Sequence, residues 1–137
     1  MLLLELERRG RFAALRPNEE SRLAVMSWME GRVPNPNTDL HVTVVFDKKN
    51  EHPWKGGEID LFVTSWKLTL WGKVLVACFE DERLSSLHAR LRKDYSLPWG
   101  YDRYNPHMTL SYDHEGEIPE GALPPVTFDR LTVTSYR

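Results

Sequence analysis

Two segments of this chain, His41-Val42-Thr43-Val44-Val45-Phe46-Asp47 and His107-Met108-Thr109-Leu110-Ser111-Tyr112-Asp113, follow one pattern 66 residues apart: His, apolar, Thr, apolar, any residue, aromatic, Asp. Such alternation marks a β-strand, whose successive side chains point to opposite faces. It predicts a strand over Leu40 to Phe46, with Leu40, Val42, Val44 and Phe46 on a dry face and His41, Thr43 and Val45 on the other. The second strand, His107 to Tyr112, sets Met108, Leu110 and Tyr112 opposite His107, Thr109 and Ser111. A single His-x-Thr match is a weak motif. Two of them, on matching strands of a chain with only 5 histidines, constrain the fold strongly, because the two halves must each supply one such strand.

The remaining elements fit around that pair. Residues 11 to 15 read as a short strand stopped by Pro17, after which Asn18 caps a helix with Glu19 and Glu20 in its first turn. Gly31 ends this helix, whose apolar pairs are Leu23 with Met26 and Val25 with Met29. Val33 to Thr38 is loop sequence around Pro34-Asn35-Pro36-Asn37. The stretch from Glu58 to Trp71 is β-rich, Gly72-Lys73 makes a turn, and Val74 to Phe79 returns as a hairpin partner. Asp81 caps a second helix with the stripe Leu84, Leu87, Leu91 and Tyr95, and Val126 to Tyr136 is one more long strand. Mixed strands and helices with hairpins point to an α+β domain with an antiparallel or mixed sheet. The expectation is one domain over residues 1 to 137 with an internal pseudo-two-fold duplication.

Composition narrows the function. The formal net charge is −2 with neither sign gathered in a block, so the basic track of a protein that grips long nucleic acid is missing. A small anionic ligand in a local pocket is compatible with that balance. No apolar run reaches spanning length, and charges at Glu5, Glu7, Arg8 and Arg9 interrupt the apolar start Met1 to Leu4, which predicts a cytoplasmic protein with no membrane partner. Cys78 is the single cysteine and reads as a buried small residue in a strand, with no partner for an intramolecular disulfide. There is no HExxH or Cys/His zinc spacing, so neither a metal nor another cofactor is expected.

On a strand, residues i and i+2 share a face, so each histidine stands beside its threonine hydroxyl. If the two pairs converge on one cleft, one neutral imidazole can accept a proton while the other, charged, donates one. The hydroxyls supply donors where negative charge builds on a phosphoryl group. His41, Thr43, His107 and Thr109 are therefore the candidate catalytic residues for metal-independent cleavage of a phosphodiester. His52, His88 and His114 lack a threonine two residues on; His88 is expected to be partly buried and His114 exposed. Trp66 is expected in the core, while Trp54, Trp71, Trp99 and Tyr101 stand at turns or in loops, where an aromatic could stack on a base.

The paired His-x-Thr strands resemble those of the 2H phosphoesterase superfamily, which implies a two-lobed, RNA-ligase-like α+β fold with antiparallel or mixed sheets lining a central cleft and helices outside. More narrowly, Gly10-Arg11-Phe12-Ala13-Ala14, Pro34-Asn35-Pro36, Leu40-His41-Val42-Thr43 and Tyr104 to Asp113 resemble the phage anti-CBASS proteins of that superfamily. Those enzymes degrade the cyclic di- and trinucleotide messengers of bacterial antiviral signalling. The resemblance implies a small cyclic oligonucleotide as substrate and ligand contacts at Phe12, where a tyrosine is the family's residue, and at Trp71. Tyr104, three residues before His107, either reaches the cleft as a further contact or anchors its loop. Two other readings stand beside this one: action on 2′,3′-cyclic phosphate ends of RNA, and a non-catalytic cyclic-nucleotide sponge.

Overall fold

A computed structural model describes residues 10–47, 56–95 and 104–136. In chain order the elements are β1 (Gly10–Pro17), α1 (Glu19–Met29), β2 (Val42–Asp47), β3 (Gly57–Val63), β4 (Lys67–Trp71), β5 (Val74–Cys78), α2 (Glu82–Tyr95), β6 (His107–Ser111) and β7 (Val126–Tyr136). The seven strands form one sheet in the order β3-β7-β1-β2-β6-β5-β4, and every pairing is antiparallel. The two His-x-Thr strands, β2 and β6, are neighbours in the middle. Their ladder, however, is a single register pair, Val42 with Met108. Long ladders lie on either side, so the sheet divides at this seam into a β3-β7-β1-β2 lobe and a β6-β5-β4 lobe.

Local chemistry sets the ends of the elements. The Asn18 side chain accepts from Ser21 N at 2.8 Å, capping α1, and Gly31 takes the left-handed φ of 77° that the chain needs to leave the helix. Asp81 caps α2 in the same way, its carboxylate accepting from Arg83 N at 2.8 Å. At the tip of the β4–β5 hairpin, Gly72 adopts φ 63°.

The core lies on the face of the sheet opposite the His-Thr pairs, where Leu15, Val42, Val45, Met108 and Phe128 are fully buried together with Val25 and Met29 of α1 and Leu84 of α2. Helix α1 packs on β1 and β7, whereas α2 crosses to pack on β2, a strand of the other lobe. One expectation about α1 is corrected: Leu23 is 52% exposed and the buried stripe is Ser21, Val25, Trp28 and Met29. The reason is docking chemistry. Asn18 N donates to Thr127 O and Thr127 N donates to Ser21 Oγ, which turns the serine side of the helix toward β7 and Leu23 away. Trp54, Trp99, Tyr101 and His52 lie outside the described residues. Among the described residues no helix is long and apolar enough to cross a membrane.

Met108 closes the seam from below with no exposed surface, so Met108→Ala should lower unfolding stability by about 2–5 kcal/mol in urea titration. Leu23→Ala should stay within about 0.5 kcal/mol of the parent. Equal losses for the two would contradict the observed orientation of α1.

Candidate active site

Because β2 and β6 run antiparallel, counting outward from Val42–Met108 sets Thr43 opposite His107 and His41 opposite Thr109. Val42 and Met108 point into the core with no exposure, and the four polar side chains therefore share the other face, each partly exposed. The arrangement has an approximate two-fold through the Val42–Met108 pair. His41 and Thr43 flank Val42 on one side of the seam, and His107 and Thr109 flank Met108 on the other.

Both imidazoles are oriented by the same device. His41 Nδ1 lies 2.8 Å from the carbonyl of Asp39, and His107 Nδ1 lies 2.8 Å from the carbonyl of Asn105. A carbonyl only accepts, so each Nδ1 carries hydrogen and each Nε2 keeps its lone pair when the ring is neutral. His41 has a more elaborate surround. Arg16 pairs with Asp39 and donates from Nε to Thr132 Oγ1 at 3.1 Å, which holds its guanidinium beside the imidazole. Burial of the His41 ring, helped by the Arg16 charge and opposed by the Asp39 carbonyl, lowers its pKa from the ordinary 6.5. At neutral pH His41 is thus predominantly a proton acceptor. Among the described residues no three His, Cys, Asp or Glu side chains gather as a metal site requires.

The structure adds a feature that simple alternation does not contain. In the β1–β2 ladder Ala14 pairs with Thr43 and Ala13 with Val45, so Val44 is an extra residue. In the β5–β6 ladder Val76 pairs with Thr109 and Leu75 with Ser111, so Leu110 is extra. Each His-x-Thr strand therefore carries a β-bulge one residue after its threonine, and beyond a bulge the faces exchange. This corrects the expected faces. Val45 turns into the core, while Phe46 comes to the His41 face, across from Phe12 at a ring separation of 6.1 Å. Ser111 is likewise buried, its Oγ donating to Asn35 O at 2.7 Å, and Tyr112 is 63% exposed.

Aromatic rings flank both histidines. Phe12 lies 5.4 Å from His41, and Trp71, at the exposed end of β4, meets His107 edge-on at 4.7 Å. Beside His107 an open pocket of about 830 Å³ is lined by Lys67, Thr69, Trp71, Cys78, Tyr104 and Asn105. Of the two alternatives for Tyr104, its hydroxyl takes the anchoring one: it donates to Thr43 O at 2.7 Å, although the residue also lines the pocket. Burial raises the phenol's pKa, so it remains a donor. His88 is buried more deeply than the partial burial expected, and its ring stacks on Tyr104 at 4.1 Å. Trp66 packs on Phe79 and Phe128 at the core. His114 is a correction: it is 5% exposed, because its backbone N–H donates to Lys73 O and its Nε2 to Glu117 O, both at 2.8 Å. Sequence reasoning missed Arg16 and Asn37. Arg16 was within reach, since it shares parity with Phe12 on β1; Asn37 is in a loop and has no periodic signal.

The comparison with protein families turns this geometry into a classification. The family model for anti-CBASS protein Acb1 matches residues 9–130. The chain belongs to that family. No curated protein matches it in sequence. Among solved structures, E. coli LigT complexed with 3′-AMP superposes with a TM-score of 0.68 at 18% identity, covering 93% of this chain and 87% of that one. The apo form of E. coli LigT gives 0.67 at 20% identity over 94% and 88%. A crystal structure of a phosphoesterase gives 0.64 at 18% over 93% and 88%. At these identities the likeness is one of fold, and the fold is that of the 2H phosphoesterases. Membership in the anti-CBASS family gives the chain a part in evading CBASS.

The electrostatics of His41 can be checked without any substrate. In an NMR titration its imidazole should titrate below 6.5. Arg16→Gln removes the repelling cation and releases the Asp39 carboxylate, and both changes favour the imidazolium, so the midpoint should rise. An unchanged or lowered midpoint would contradict the assigned cause.

Proposed function

We propose that the protein hydrolyses cyclic di- or trinucleotide messengers of bacterial antiviral signalling, with His41, Thr43, His107 and Thr109 as its catalytic residues, and so lets a phage evade that defence. The observation that carries this reading is the facing pair of His-Thr units about Val42–Met108. A phosphodiester seated over that pair would have a proton acceptor on one side, a proton donor on the other, and a hydroxyl donor beside each.

In this reading His41 takes the proton from the attacking hydroxyl or water as the new P–O bond forms. Protonated His107 delivers a proton from Nε2 to the departing ribose oxygen as the old P–O bond breaks, while its Nδ1–H stays on the Asn105 carbonyl. Complete hydrolysis consumes one water and opens the ring. The lowered pKa of His41 supports its assignment as base. Thr43 and Thr109 hydroxyls donate to the non-bridging oxygens, where charge accumulates; such a donor in a site shielded from water is worth on the order of 2–4 kcal/mol. No step needs a metal.

Phe12 and Trp71 are the proposed base platforms, one beyond each histidine, and a base stacked on either contributes roughly 1–3 kcal/mol. Two platforms on opposite sides of one phosphate suit a ligand with bases on both sides of the scissile bond. That favours a cyclic oligonucleotide over a 2′,3′-cyclic RNA end. The pocket beside Trp71 has room for a nucleoside, and its charged lining is Lys67 with Glu80, Asp81 and Glu82, so it suits a base and sugar better than a second phosphate.

Incubation in EDTA with a panel of cyclic di- and trinucleotides and a 2′,3′-cyclic-ended RNA tests the proposal. Turnover of a cyclic oligonucleotide should survive chelation, and His41→Ala and His107→Ala should each reduce it about 10²- to 10⁴-fold while affinity stays within about tenfold. Turnover of the RNA end alone would replace the substrate. Activity lost in EDTA and restored by a divalent ion would overturn the mechanism.

A further inference from the structure

The two bulges share more than their position. At each, the carbonyls of the threonine and of the extra residue after it are bound by groups from the other half of the chain. On β2, Thr43 O accepts from the Tyr104 hydroxyl at 2.7 Å and Val44 O accepts from His88 Nδ1 at 2.6 Å. On β6, Thr109 O accepts from Asn37 Nδ2 at 2.9 Å and Leu110 O accepts from Asn37 N at 2.7 Å. Tyr104 and Asn37 each lie just upstream of the opposite His-x-Thr strand. Each lobe thus reaches across the seam to hold the threonine of the other.

We propose that Tyr104 and Asn37 are positioning residues, reciprocal braces that fix the threonine-bearing bulges of the two lobes at the spacing one phosphodiester requires. The ladder alone cannot do this, because it has one register pair at the seam, and α2, which also spans the seam by packing on β2, does so on the core side of the sheet. The braces replace the missing ladder bonds. Hydrogen bonds to Thr43 O and Thr109 O tie each threonine's backbone to the opposite half of the chain, and those to Val44 O and Leu110 O satisfy the extra residues of the bulges. His88 stiffens the first brace, since its ring lies flat on Tyr104 with planes 4° apart. Asn37 also reaches the histidine anchor, because Nδ2 donates to Asp39 O at 3.2 Å, the carbonyl that holds His41 Nδ1, while Asn37 Oδ1 accepts from Asp39 N at 3.1 Å. One side chain thereby ties the His41 anchor to the Thr109 strand. The reciprocity is what an internal duplication of a brace-and-strand unit would leave behind.

This inference deepens the proposed function and rests on it for its kinetic readout. Displacement of a catalytic group by about 1 Å costs up to ~10²-fold in rate. Tyr104→Phe should therefore lower kcat tenfold or more on a cyclic dinucleotide with KM within about twofold. Coupling separates positioning from general stability: in a Thr43→Val background Tyr104→Phe should cost less than about threefold more, whereas in a Thr109→Val background it should keep its full effect. Asn37→Ala should behave in mirror image, nearly full in Thr43→Val and reduced in Thr109→Val to the part that runs through His41. A raised KM at constant kcat would make Tyr104 a substrate contact instead, and equal effects in both backgrounds would make the residues merely stabilising; either overturns the proposal. Amide hydrogen exchange tests the braces even if the parent turns over none of these nucleotides. Tyr104→Phe should speed exchange in residues 42–46 and spare 107–111, and Asn37→Ala should do the reverse. No change, or the same change in both segments, overturns the proposal independently of substrate.

Discussion

The antiparallel contact between Val42 and Met108 determines most of what this protein can do. Side chains alternate along a strand, so burying these two apolar residues obliges His41, Thr43, His107 and Thr109 to the opposite face. Antiparallel direction then sets each histidine against the other strand's threonine. A slip of one residue would turn the polar set of one strand into the core and the apolar set out, which the buried volume of Met108 and Val42 strongly opposes. The hydrophobic core therefore enforces the register of the site.

The core cannot enforce the distance between the lobes by itself. The two strands share one ladder pair, and the bulges after Thr43 and Thr109 leave Val44 and Leu110 as extra residues whose carbonyls the opposite lobe binds. The bulges also redistribute side chains. Phe46 joins Phe12 on the His41 side, where alternation would have buried it, and Val45 and Ser111 fill the core in positions that alternation would have left wet. Burial and the Arg16 guanidinium lower the pKa of His41, which favours its neutral imidazole.

Much of this was legible in the residues. Strand alternation and the doubled His-x-Thr pattern point to the two central strands, and the caps at Asn18 and Asp81 mark α1 and α2 because their chemistry is local. What escaped was set by tertiary contact. The bulges at Val44 and Leu110 contain no glycine or other marker, only β-formers, and they arise from how the strand meets its neighbours. Leu23 faces outward because Thr127 claims Ser21, a partner 106 residues away. His114 is drawn inside by Lys73 and Glu117, and the Pro34-Asn35-Pro36-Asn37 segment, which reads as a plain loop, pairs with β6 through Asn35 and Asn37. Residues whose role depends on such distant partners leave no periodic trace in sequence.

In the proposed reaction both His-Thr units act on one phosphorus atom. A crystal structure with a slowly hydrolysed phosphorothioate cyclic dinucleotide tests it most directly. The account predicts the scissile phosphoryl group over Val42–Met108, within hydrogen-bonding distance of the Thr43 and Thr109 hydroxyls and of Nε2 on both His41 and His107. A phosphoryl group held elsewhere, for example by Lys67 in the pocket beside Trp71 and out of reach of His41, would contradict it.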